Sequence, residues 1–210
     1  SSWSGEGVVD ASASSTSIVM TADHSLTANF EPVVHALTVA SESEAQGSVI
    51  GGGSFSHGET TTISAIPGTG YVFSGWSDPN VIDPTASSTS VTVTSSQIIT
   101  ATFAPATYSL TLQSSPDGAG ALTGEGTFEY GTDANVTAAP NTGYVFSNWS
   151  GDGLEEENST NTSASMTADR NVTANFELAD HLLTVTTDVS EEGYVIGGGT
   201  FVHGQTVTIT

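Results

Sequence analysis

Apolar and polar residues alternate along the chain in short runs rich in Thr, Val and Ile. Within one stretch they fall at residues 35–40, 47–50, 60–66, 71–76, 88–94 and 97–103, separated by Gly, Pro, Asn and Asp. A period of two with turn residues between the runs predicts β-strands. No long segment carries apolar residues at helical spacing, and only residues 85–88 suggest a single helical turn. Gly51-Gly52-Gly53 and Pro67-Gly68-Thr69-Gly70 read as tight turns rather than phosphate loops, which require a following helix.

The large aromatic residues reveal a longer period. Trp3, Trp76 and Trp149 are spaced by 73 residues, as are Phe30, Phe103 and Phe176, and Phe55, Phe128 and Phe201. Tyr71 pairs with Tyr144 and Phe73 with Phe146 at the same spacing, so 13 of the 16 aromatic residues lie in repeated columns. Such columns predict a small core rebuilt around the same anchors. In this register the chain holds the rear of one repeat (1–32), two whole repeats (33–105 and 106–178) and the front of a fourth (179–210). The expectation is a window cut from a longer array, with all-β repeats of 73 residues arranged as a rod. The front halves carry a second regularity. Residues 35–64 share 16 identities with residues 181–210 but only 8 with residues 108–137, which suggests a duplicated two-repeat block.

Charge narrows the function. Twenty-three acidic residues face a single basic one, Arg170, for a formal net charge of −22. Nucleic acid and direct membrane insertion are excluded as expectations. The absence of Lys removes Schiff-base and Lys–Asn cross-link chemistry, and the absence of Cys removes disulfides and thiolate metal sites. With 30 Ser and 32 Thr, the surface must be hydroxyl-rich and anionic, which suits a saline or calcium-rich medium.

In the repeat 106–178 the motifs run in order: Leu110-Thr111-Leu112, Gly124-Glu125-Gly126-Thr127-Phe128-Glu129-Tyr130-Gly131, Ala138-Ala139-Pro140-Asn141-Thr142-Gly143-Tyr144-Val145-Phe146, Trp149-Ser150-Gly151-Asp152, Met166-Thr167-Ala168-Asp169 and Val172-Thr173-Ala174-Asn175-Phe176. This pattern resembles the divergent internalin-B-type B-repeat, and the resemblance spans the whole chain. It implies a small β-rich unit reminiscent of a β-grasp, in tandem in secreted or surface-anchored bacterial proteins, serving as stalk, spacer or adhesive module. It brings no catalytic residue and no agreed ligand.

Candidate chemistry is sparse. The loop after each Trp is acidic: Glu6 and Asp10 in the first, Asp78 and Asp83 in the second, and Asp152, Glu155, Glu156 and Glu157 in the third. Oxygen ligands in a Gly-rich turn are the composition calcium uses, so the last four residues are its candidate ligands, against the alternative of a solvated acidic turn. His35 and His181 share one column and His57 and His203 another. The intervening repeat has Tyr108 and Tyr130 there, which points to strand-face or edge positions rather than ligands or bases. Each Trp reads as a core anchor, with a sugar-stacking platform as the alternative. Asp23 and Asp169 read as caps of a hairpin turn. No placed nucleophile occurs, so an enzyme is not expected. The leading expectation is an extracellular structural array at the bacterial cell surface, whose partners are neighbouring repeats or copies of itself. Head-to-tail completion of the split repeats would lack the nine-residue stretch equivalent to residues 65–73. The alternative is an adhesin for a surface glycan or protein, or a calcium-dependent cell contact.

Overall fold

The computed structural model describes residues 1–78, 81–188 and 193–210, which form strands and turns with no helix among them. The chain divides into two compact units, Ser1–Ala104 and Pro105–Thr210. The first contains β1 (Ser2–Ser4), β2 (Thr27–Asn29), β3 (Val34–Ser41), β4 (Gly47–Ile50), β5 (Gly53–Ser56), β6 (Glu59–Pro67), β7 (Tyr71–Trp76), β8 (Ser88–Val93) and β9, which runs Gln97–Pro105 to its end. The second contains β10 (Thr107–Ser115), β11 (Gly120–Thr123), β12 (Gly126–Glu129), β13 (Asp133–Pro140), β14 (Tyr144–Ser150), β15 (Asn161–Ser165), β16 (Arg170–Leu178), β17 (Asp180–Leu183) and β18 (Gly199–Val202).

Each whole repeat is a two-layer sandwich. Four strands in the order β5-β3-β9-β7 face three in the order β4-β6-β8, and β12-β10-β16-β14 over β11-β13-β15 repeats the plan. The first and last strands of the repeat run parallel at the centre of the larger sheet, with Leu37 opposite Gln97 and Leu110 opposite Arg170. Consecutive strands never pair within these repeats, because every connection carries the chain from one layer to the other. A parallel central pair obliges such crossovers. The Gly triplet serves one of them. Gly51 and Gly124 have φ of +111° and +113°, and a Cβ there would lie 2.4 Å from Thr62 O and 2.2 Å from Asn135 O. Only glycine permits the chain to leave one sheet for the other at that point.

One strand lies outside the sequence reading and one expectation is corrected. The strand β5 carries little signal, because Gly53-Ser54-Phe55-Ser56 holds one large apolar residue. The segment 85–88 makes no helical turn; it is a bend and turn leading into β8.

Both cores lie between the layers. One gathers Leu37, Ile63, Trp76, Val91, Val93, Ile99 and Phe103, with Phe55, Tyr71 and Phe73 partly buried against it. The other gathers Leu110, Val136, Trp149, Met166, Val172 and Phe176, with Phe128, Tyr144 and Phe146 at its margin. Trp149 is fully buried and Trp76 is 6% exposed. Each packs at an angle on its neighbouring Phe, with Phe146–Trp149 centroids 5.7 Å apart and Phe73–Trp76 5.3 Å apart, a favoured geometry for aromatic pairs.

The half repeats differ. Among the described residues, 1–32 form the two-stranded β1-β2 sheet and an isolated bridge between Val8 and Ile18, and 179–210 form β17-β18. Trp3 and Phe201 are partly buried, but Phe30 is 83% exposed and is no core residue here. Phe103 and Phe176 are covered by front-half strands, closing on Gly47 and Gly120, and residues 1–32 contain no such strands.

Candidate functional site

The loops after the Trp residues share one frame. The backbone N–H of Trp3, Trp76 and Trp149 donates to the carbonyl eight residues on: Ala11 at 2.7 Å, Pro84 at 2.9 Å and Glu157 at 2.6 Å. The indole Nε1–H donates to the carbonyl ten residues on: Ala13 at 3.1 Å, Ala86 at 2.9 Å and Ser159 at 2.9 Å. A third bond recurs. The backbone N–H of Asp10, Asp83 and Glu156 donates to the hydroxyl of Thr16, Thr89 and Thr162, at 3.1, 3.0 and 2.9 Å. A buried indole needs an acceptor, and looping the chain back over the ring supplies one. The Thr column was not read from the sequence, since 62 hydroxyl residues hide it.

The carboxylates do separate work. Asp83 Oδ1 accepts from the Thr85 N–H at 2.9 Å and from its hydroxyl at 2.7 Å. Asp10 Oδ1 does the same with Ser12, at 2.9 and 2.8 Å. The side-chain hydrogen bonds, then the backbone ones, hold both carboxyls below their ordinary value near 3.8. In the third loop Glu156 stands at this position, and its longer side chain makes no such turn. Asp152, Glu155, Glu156 and Glu157 are all exposed. Glu155 Oε2 accepts from Ser163 Oγ at 2.8 Å, while Asp152 lines a shallow recess with Asp169, Arg170 and Asn171. Among the described residues no three His, Asp or Glu are placed to share a metal ion. Arg170 donates to Ser165 O at 3.2 Å and to Thr167 Oγ1 at 2.9 Å. Asp78 belongs to the second loop, and its neighbours Pro79 and Asn80 lie outside the described residues.

Asp169 caps a strand rather than a hairpin. Its Oδ1 accepts from the Ser109 N–H at 2.7 Å and from the Ser109 hydroxyl at 3.0 Å, 60 residues away. The backbone bond first, then the hydroxyl, lowers its pKa. In the preceding repeat Ser96 Oγ accepts from the Ala36 N–H at 3.1 Å in the same columns. The residue ties the start of the last strand to the first, because those two are parallel neighbours.

Trp76 and Trp149 have no free face for a sugar, which removes them as stacking platforms.

Three stretches of the chain, residues 1–34, 37–107 and 110–180, match the family described as the divergent InlB B-repeat domain. No curated protein matches. A solved structure, "The Bacillus anthracis TIE protein", is similar over 89% of this chain and 45% of its own, with 10% identity and a TM-score of 0.41. The chain thus spans less than half of that protein. The family match covers the same three segments in which the Trp-centred loop recurs, and the chain belongs to the divergent InlB B-repeat domain family.

Proposed function

We propose that this chain is a segment of a non-enzymatic stalk or filament exposed at a bacterial cell surface, acting as a spacer. The observation that carries this reading is the recurrence of one Trp-centred frame at 73-residue intervals while the charges it displays vary from loop to loop. A stacked array needs only the repeated frame, since each unit contacts only its neighbours. The polar groups of each loop support this reading too, since many of them are engaged in bonds to their own repeat.

The test is negative-stain electron microscopy of the purified chain, with and without calcium. Discrete short rods, unchanged by calcium, are expected of a spacer segment. Long filaments with an axial period of a small multiple of one repeat would make copies of the chain its principal partner. Compact, flexibly jointed particles would overturn the stalk reading.

A further inference from the structure

Two histidine columns that are 22 residues apart in sequence meet in space. His35 Nε2 lies 3.1 Å from His57 Nδ1, and His181 Nε2 lies 3.1 Å from His203 Nδ1. Ring centroids are 5.4 Å apart in both pairs. The strands explain the meeting. His35 on β3 is opposite Phe55 on β5, and His181 on β17 is opposite Phe201 on β18. The turn after β5 or β18 then brings the second His back over the first, anchored by His57 N–H donating to Val33 O and His203 N–H to Ala179 O, each at 2.8 Å.

We propose that each pair is a two-histidine site for a borderline divalent transition-metal ion such as zinc, nickel or copper. Imidazole nitrogen is the ligand these ions share. Two nitrogens 3.1 Å apart, each at a metal distance of about 2.05 Å, subtend an angle of about 98° at a common ion, between the square-planar and tetrahedral values. A small rotation of the rings, which are at least partly exposed, turns the lone pairs from facing each other to facing that ion. Proton balance is simple. In the free pair one ring nitrogen donates its hydrogen to the other; in the bound pair that ring carries its proton on the opposite nitrogen, and water completes the coordination.

Three further observations favour a cation here. A net charge of −22 with one Arg and no Lys concentrates divalent ions around the chain and sets few fixed cations against them. The Cδ2–Nε2 edge of the His203 ring rests against Gly143, which leaves Nδ1 on the side of His181. Finally, both members of a pair change together. The repeat 106–178 lacks both and has Tyr108 and Tyr130 instead, with ring centroids 6.3 Å apart. At His181–His203 the ion would clamp a repeat junction, because Ala179 N–H also donates to Gly143 O at 2.8 Å.

The Tyr pair supplies the control, since this fold already carries it at those columns. Isothermal titration of the whole chain with zinc, nickel or copper salts, in excess calcium to occupy surface carboxylates, should give two ions per chain. The H35Y/H57Y and H181Y/H203Y variants should each bind one, and the fourfold variant none. Nitrogen NMR of the unmodified chain should show Nε2 of His35 and His181 and Nδ1 of His57 and His203 shifting on titration. Equal binding by the fourfold variant, no binding by the unmodified chain, or shifts at the other ring nitrogens would each overturn the proposal.

Discussion

At the scale of single residues the Trp column governs stability. Trp149 is sealed by its own loop, so Trp149→Ala should cost about 3–5 kcal/mol, and Trp149→Phe, which spares most of the volume but orphans Ser159 O, about 1–3 kcal/mol. Urea unfolding followed by hydrogen exchange across residues 106–178 measures both, and a cost below about 0.5 kcal/mol for Trp149→Ala would contradict a buried anchor. The lowered pKa values of Asp10, Asp83 and Asp169 give a second prediction. Near the ordinary value of 3.8 the unfolded carboxyls bind more protons than the folded ones. Their contribution is therefore complete above that value and is lost as pH falls through the lower folded values. Asn at the three positions keeps an Oδ1 acceptor and removes the titration. Thermal unfolding from pH 6 down to about pH 2 should thus fall less steeply for the triple Asn variant than for the parent; identical slopes would show that these caps carry no pH dependence.

At the scale of elements, the two layers pack tightly where a short strand meets the last one. A Cβ on Gly47 in β4 would lie 2.5 Å from the Phe103 ring in β9, and one on Gly120 in β11 would lie 2.2 Å from Phe176 in β16. Gly47→Ala should destabilise by about 1–3 kcal/mol through overpacking. Phe103→Leu, costly alone, should cost less in the Gly47→Ala background. Additive effects in that double-mutant cycle would mean that strand and ring do not compete for space. The same elements show how much of the fold was legible. Strand identity and the 73-residue period could be read because Trp, Phe and Tyr stand out in a background of Ser and Thr. Layer assignment could not. Alternation with a period of two marks a strand without saying which sheet it joins, so Asp169 read as a hairpin cap when its partner Ser109 is on the parallel neighbour. Phe30 shows the complementary failure, because column membership names an anchor while burial depends on strands elsewhere. The meeting of His35 with His57 was hidden for the same reason, as it depends on the β3–β5 register. The acidic loop was legible as composition, but which carboxylate faces which is set by the indole–carbonyl frame.

At the scale of the whole molecule, charge acts on every repeat at once. A formal charge of −22 over 210 residues leaves about eight uncompensated negative charges per 73-residue repeat. The charge is confined in the folded sandwich and spread out in the unfolded chain, so repulsion weighs against folding. Added salt shortens its range to about 8 Å at 0.15 M and about 3 Å at 1 M. The midpoint of thermal unfolding should therefore rise steeply between 0.01 and 0.15 M NaCl and level off by about 1 M, following the Debye length. KCl should reproduce the curve at equal ionic strength, since screening does not distinguish monovalent cations. A midpoint unaffected by salt would mean that the carboxylates lie too far apart to strain the fold, and the acidic composition would then need a different cause. A rise produced by one monovalent cation alone would point to bound ions rather than to an atmosphere. At low salt, where the same repulsion reaches beyond one repeat, it should also oppose lateral joining of copies at sheet edges such as β5 and β7.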